Sequence, residues 1–197
     1  MAKFLLGKKV EMSQIFDEKG DVVPVTLVEA GPCYVLQKKT KEKEGYDALQ
    51  LGFVKIEKKS KIKKTMKGKE YRYIREVISD ENANVGDRVT ASIFNIGDVV
   101  TVIGTSKGKG FQGAVKRHGF HGRNRTHGMK HDERTVGSIG QRFPQHTIKG
   151  RRMPGRMGSD RVTVKNLVIA KVDSENNIIA IRGAVPGHRG TLLEIKG

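Results

Sequence analysis

Between Gly104 and Arg161 the chain reads GTSKGKGFQGAVKRHGFHGRNRTHGMKHDERTVGSIGQRFPQHTIKGRRMPGRMGSDR, and this stretch limits what the whole can fold into. Its 58 residues carry 14 Lys or Arg against three acids, Asp132, Glu133 and Asp160, which is +11 of the chain's net charge of +17. It holds 12 of the 24 Gly and five of the six His. It contains no Leu, and Val and Ile occur only at Val115, Val136, Ile139 and Ile148. Such a segment cannot bury enough apolar surface to offset the entropy of ordering it. It needs a scaffold that holds both its ends and a polyanion to lie against.

The scaffold has to come from the remaining residues. From Lys3 to Phe53 the pattern is β: Val22, Val23, Val25, Leu27 and Val28, then Tyr34-Val35-Leu36 after a Gly31-Pro32 turn, then Asp47 to Leu51. Gly20-Asp21 suits a hairpin turn. Strand character returns at Tyr71 to Val77, at Val89 to Phe94 and at Asp98 to Gly104. After the basic stretch it resumes at Arg161 to Val164, Leu167 to Val172, Ile178 to Ile181 and Thr191 to Ile195, with a turn at Asn176-Asn177. Many short strands with turn signals between them predict a mainly β fold, a sandwich or barrel, with the long basic loop inserted between two of its strands. Lys55 to Lys69, KIEKKSKIKKTMKGK, is a lysine-rich connection with weak helical spacing at Ile56, Ile62 and Met66. Two readings stand for it: a solvated surface, or an arm that touches phosphate. No internal repeat is visible.

Several classes are disfavoured. No apolar run approaches the ~20 residues of a membrane-spanning helix. MAKFLLGKKVEM resembles neither a secretory signal nor a transit peptide, so the expected location is the cytoplasm. One cysteine, Cys33, allows no internal disulfide and no zinc-thiolate cluster. The net charge of +17 points to a nucleic acid or an anionic membrane surface as partner.

Short motifs inside the basic stretch have chemical readings that must be weighed. Gly108-Lys109-Gly110-Phe111-Gln112-Gly113 satisfies the dinucleotide fingerprint, but a Rossmann turn opens a helix within a βαβ unit, and glycines recur at Gly119 and Gly122. The same residues with Ala114-Val115 match a kinase glycine loop, but the other kinase motifs are missing. Exposed backbone N–H groups facing phosphate are the simpler use of these glycines. His118, His121, His127 and His131 lack zinc-motif spacing, and contact with phosphate, ribose or base edges fits them better. Ser106, His118 and Asp132 could be assembled into a triad on paper, with nothing to fix their geometry. Asp132 and Glu133 read as local counter-charges to the basic side chains. No catalytic residue, metal or cofactor is expected. Arginine dominates this stretch while lysine dominates the residues before it, and guanidinium forks suit ordered, bidentate phosphate contacts. The candidate RNA contacts are Lys107, Lys109, Lys116, Arg117, His118, Arg123, Arg125, His127, Lys130, Arg134, Arg142, Lys149, Arg151, Arg152, Arg156 and Arg161. The rival functions are a nucleotide-binding or RNA-modifying enzyme and a free basic RNA chaperone.

Longer blocks carry a resemblance. LLGKKVEMSQIF at Leu5–Phe16, VPVTLVEAGPCYVLQ at Val23–Gln37, GTSKGKGFQGAVKRHGF at Gly104–Phe120, GSIGQ at Gly137–Gln141, KGRRMPGRMGSDRVTVKNL at Lys149–Leu167 and RGAVPG at Arg182–Gly187 together resemble the bacterial members of the ribosomal protein L-three family. That resemblance implies a translation-factor-like β-barrel formed by residues 1–104 and 160–197, and a loop, 105–159, running through rRNA towards the peptidyl transferase centre. It implies binding to large-subunit rRNA near the 3′ end early in assembly. The implied neighbours are L-fourteen and L-nineteen, with no small-molecule substrate, no membrane and no homo-oligomer. Gln141 matches a position that some relatives methylate. Glu11 stands where the family usually has Gly, which would be costly if that backbone required a positive φ. The region after Lys58 is about ten residues short of the family pattern, so the helical pair of relatives is not expected there.

Overall fold

The computed structural model describes residues 3–58, 60, 62–78 and 83–197. The chain divides into two compact units, one formed by residues 1–105 with 161–197 and the other by Ser106–Asp160.

The first unit is built on β1 (Phe4–Phe16), β2 (Val22–Ala30), β7 (Val99–Thr105), β10 (Arg161–Asp173), β11 (Ile178–Arg182) and β12 (Leu192–Lys196). These six strands pair antiparallel in the cyclic order β1-β12-β7-β10-β11-β2, and β2 pairs back onto β1, so the sheet closes on itself. Closure removes free edges where the ladders are complete. β3 (Cys33–Lys39), β4 (Ala48–Lys55), β5 (Tyr71–Val77) and β6 (Arg88–Val89) form a second sheet in the order β5-β4-β3-β6. One core joins the two sheets. Leu5, Leu6, Val102, Ile169, Ile181 and Ile195 from the closed sheet cluster with Val35, Leu51 and Phe53 from the other. Each fully buried Leu, Ile or Phe of this kind contributes about 1.5–3 kcal/mol.

Local chemistry explains the turns. Between β10 and β11 the Asp173 carboxylate accepts the N–H groups of Glu175 and Asn176, and Asn177 takes φ 53°. Asparagine tolerates that left-handed geometry better than most residues. Between β1 and β2, Asp17 N–H donates to the Asp21 carbonyl at 2.9 Å, and Gly20 N–H donates to the Asp17 carbonyl at 2.8 Å. Lys9 is buried and reaches the carbonyls of Val185 and Gly187 at 2.9 and 3.2 Å.

Some expectations change. Of the run from Val89 to Phe94, only Val89 lies in a strand; Ala91–Ile93 form a 3-10 turn instead. Ala91 and Phe94 are buried nonetheless, so the apolar run marks core rather than a ladder. A short helix, α1 (Lys41–Glu44), interrupts the way from β3 to β4 and was not signalled by periodicity. In the Lys55–Lys69 connection the regular element is a 3-10 turn at Lys64–Met66, and no longer helix forms among the described residues; Lys59 and Lys61 lie outside them, as do the first two residues of the N-terminal stretch. Glu11 sits in β1 just after a register shift between Lys9 and Glu11, and it is not among the residues of positive φ. The shift supplies the irregularity without requiring glycine. Its carboxylate lies 3.4 Å from the Arg189 guanidinium.

Candidate nucleic-acid interface

The last rung between β7 and β10 pairs Thr105 with Arg161, and the basic arm lies between these two residues. Inside the arm, Ser106 N–H donates to the Asp160 carbonyl at 2.9 Å, and Asp160 N–H donates to the Ser106 hydroxyl at 3.2 Å. Lys109 N–H donates to the Met157 carbonyl at 2.9 Å. β8 (Gly110–Gln112) then pairs antiparallel with β9 (Gly155–Met157), making a short two-stranded ribbon. This ribbon depends on Gly158, which takes φ +78° and whose Cβ, if present, would lie 2.1 Å from the Lys107 carbonyl oxygen. No other residue fits there without moving the backbone.

Gly113 precedes α2 (Ala114–His118), a single turn closed by Gly119, whose N–H donates to the Val115 carbonyl at 3.0 Å. Ala114 is the only fully buried hydrophobic residue of the arm. Where a core would normally hold a loop in shape, polar ties do so. Arg117 Nη1 donates to the Met153 carbonyl at 2.8 Å, and His118 Nε2 meets the same oxygen at 3.2 Å. Arg123 N–H donates to the Glu133 carbonyl at 2.9 Å, while Arg125 Nε pairs with the Glu133 carboxylate at 2.8 Å. That approach needs Gly122, since a Cβ there would meet the Glu133 carbonyl oxygen at 2.4 Å. Further out, Arg151 Nη2 donates to the Ser138 carbonyl at 2.8 Å.

Most of the sixteen sequence-selected residues are exposed: Lys107, Lys109, Lys116, Arg123, Arg125, His127, Lys130, Arg134, Arg142, Lys149, Arg151, Arg152, Arg156 and Arg161. Arg117 and His118 are half-buried and act first as ties within the arm. Arg161 belongs to the first unit and pairs with Glu194 at 2.9 Å, which also takes Arg75 Nε at 3.1 Å. Sequence reasoning missed the Met153 carbonyl, the ribbon and α2, because each is fixed through space by a distant residue. A concavity of about 400 Å³ is lined by His118, His121, Arg123, Arg152 and exposed backbone. Its donors converge on one space, a geometry suited to phosphate or ribose oxygens. Gln141 lies exposed in the outer loop.

The enzymatic readings find no geometry. β8 pairs antiparallel and α2 is five residues long, so Gly108–Gly113 does not open a βαβ unit. Ser106 bonds to Asp160, His118 to Met153, and the Asp132 carbonyl to Thr135; no hydrogen bond joins the three as a triad among the described residues. Among the described residues no cluster of three or more His, Cys, Asp or Glu could hold a metal ion. No helix among them is long and apolar enough to cross a membrane.

A β scaffold joined to an arm of glycine, arginine and histidine, held by polar ties and with most of its basic side chains exposed, fits the class of basic RNA-binding proteins whose extensions need RNA to lie against. A family model described as ribosomal protein L3 matches residues 72–177. The large ribosomal subunit protein uL3 of Desulfitobacterium hafniense is 48% identical over 205 residues, covering 100% of this chain and 96% of that protein. Those of Carboxydothermus hydrogenoformans and Pelotomaculum thermopropionicum are each 50% identical, covering 100% of this chain and 97% of theirs. The chain belongs to the ribosomal protein L3 family.

Proposed function

We propose that this chain is a structural constituent of the large ribosomal subunit in the cytoplasm and performs no catalysis of its own. The observation that carries this reading is the arm: ten of the chain's seventeen net positive charges lie in Ser106–Asp160, where a single fully buried hydrophobic side chain is found. The closed six-stranded sheet serves as the translation-factor-like barrel that anchors the protein, and the arm threads large-subunit rRNA towards the peptidyl transferase centre. Binding occurs near the rRNA 3′ end early in assembly, beside the neighbouring proteins L-fourteen and L-nineteen. Exposed Lys107, Lys109, Arg123, Arg142, Lys149, Arg152 and Arg156 neutralise phosphates, while Arg117, His118 and Glu133 shape the arm that presents them. Membership of the family and whole-length identity to its large-subunit members support the reading. The exposure of Gln141 supports its accessibility to a modifying methyltransferase.

The test is sedimentation of ribosomal particles from cells producing the full chain, after a high-salt wash. The expected result is stoichiometric retention on the large subunit. Release to the top of the gradient would mean a loosely held basic factor and would overturn the assignment.

A further inference from the structure

The β1–β2 hairpin differs in chemistry from the rest of the protein. From Val10 to Gln37 the chain carries five acids and one base, Lys19, although the whole chain is at +17. All five acids, Glu11, Asp17, Glu18, Asp21 and Glu29, lie on the hairpin, and three of them, Asp17, Glu18 and Asp21, lie in its turn. Glu11 is engaged by Arg189, and among the described residues no ion pair neutralises the turn acids.

The same hairpin exposes apolar side chains. Phe16 and Val22 are direct cross-strand partners and are 68% and 53% exposed. Met12 is 52% exposed, and Pro24 is exposed as well. Alternation accounts for this: Gln14 and Phe16 share a face with Pro24 and Val22, while Ile15 and Val23 turn the other way into a small cluster with Val25 and Ala180. Isolated exposed apolar residues are ordinary, but an adjacent set on one face of a two-stranded ribbon marks a contact surface.

The hairpin also has an open edge. The ladder between β1 and β12 ends at Lys8–Leu192, whereas β1 runs on to Phe16. Beyond the rungs at Lys9, no backbone partner lies on that side of β1 among the described residues. An unpaired strand edge is a template for another polypeptide strand.

These three features select one kind of occupant. Acids at the turn repel phosphate, so RNA is disfavoured; the apolar face needs a partner with apolar side chains; the free edge hydrogen-bonds a polypeptide backbone. We propose that residues 10–24 dock an extended, Lys- or Arg-rich segment of another protein in the large subunit, added as a strand along β1 with its apolar side chains on Phe16 and Val22. This rests on the reading of the chain as a large-subunit constituent. The protein thus divides its contacts by charge: the arm meets RNA, and the acidic hairpin meets basic protein.

The experiment places the photo-cross-linking residue p-benzoyl-phenylalanine at Phe16 or, as the RNA-facing reference, at Ile148 in the full chain. Large subunits are then irradiated and the adducts identified. The expected result is a Phe16 adduct to a Lys- or Arg-rich peptide of another protein and an Ile148 adduct to RNA. Adding Asp17→Lys, Glu18→Lys and Asp21→Lys is expected to lower the Phe16 adduct yield at least tenfold; an unchanged yield would overturn the charge selection. A Phe16 adduct to RNA or to a second copy of this chain, or none while Ile148 labels RNA, overturns the docking proposal and leaves the ribosomal assignment standing. Absence of the chain from large subunits overturns both. Phe16 is largely exposed, so an unchanged melting temperature of the substituted chain confirms that the scaffold is intact.

Discussion

The closed sheet and the arm keep their shapes by different means. The first unit encloses Leu5, Leu6, Val102, Ile169, Ile181, Leu193 and Ile195, a core whose burial does not depend on a partner. The arm encloses only Ala114 and keeps its course through a few carbonyls that accept from arginines, and through glycines that let strands approach. Apolar burial gives stability without direction. Polar ties give direction with little stability, since a typical hydrogen bond nets only about 1 kcal/mol. The contrast teaches that one chain can separate being folded from being addressed to a partner, and that each half should respond to different perturbations.

The largest expected difference is in salt response. Replacing Lys107, Lys109, Arg123, Lys149, Arg152 and Arg156 together with Gln should lower the log–log salt slope of rRNA binding by about 4–5, since each phosphate contact contributes about 0.7–0.9. Binding of the unaltered chain should fall about 10³-fold between 50 and 200 mM salt, a loss the variant should not show. Filter binding over a salt series reads this directly, and a variant with the original slope would break the assignment of charge to the arm. The melting temperature of the first unit should stay where it was.

Next in size is the reverse perturbation. Leu5→Ala or Ile195→Ala opens a cavity in the core and should cost about 2–5 kcal/mol in chemical denaturation. Cys33 offers an independent probe of the same event. Its thiol is buried, donates to the Leu6 carbonyl at 3.5 Å, and is pushed up to about 12 by burial, so alkylation near neutral pH requires the unit to open. Faster alkylation in the cavity variants and unchanged alkylation in the six-residue arm variant would sharpen the distinction; equal alkylation in both would blur it.

A smaller effect tests whether the arm is shaped before it binds. Gly158→Ala places a Cβ in a backbone that is already left-handed and against the Lys107 carbonyl, and the left-handed conformation alone costs about 1–3 kcal/mol. RNA affinity should drop while the salt slope is preserved, because no charge is lost. An unchanged affinity would mean that the arm is shaped wholly by its partner.

The smallest effect belongs to Glu76, whose carboxyl is held below its ordinary value chiefly by its hydrogen bond to Lys39. A depressed carboxylate adds stability above its unfolded-state pKa and loses it as pH falls through the folded value. Glu76→Gln should therefore soften the acid-side fall in melting temperature slightly, and leave neutral RNA binding alone. An identical acid profile would mean that the pair adds nothing measurable.

Much of the scaffold was legible because its strands are short runs rich in β-branched and apolar residues, as at Val22 to Val28 and Ile178 to Ile181, and Asn176-Asn177 announces its turn. Val89 to Phe94 misled because a short apolar run has the same look in a strand and in a buried 3-10 turn. The arm was visible as a charge anomaly, and its electrostatic character follows from composition alone. Its internal order was not visible. Three-residue strands and a five-residue helix carry no period to detect, and their cause lies in pairs such as Arg117 with Met153, 36 positions apart. The roles of Arg117 and Arg161 were hidden for the same reason: a sequence displays that a guanidinium is present, not that a carbonyl or Glu194 already holds it.

The rung that joins Thr105 to Arg161 has an evolutionary consequence. Because the two strands are already neighbours in the ladder, the scaffold fixes where the excursion starts and ends and is indifferent to how far it travels between them. Closing a loop of twice the length costs only about 0.6 kcal/mol more in chain entropy. The reach of this protein is therefore a nearly free variable: insertions and deletions within residues 106–160 can tune how deep the excursion goes, while the strands on either side remain under an entirely separate selection for packing.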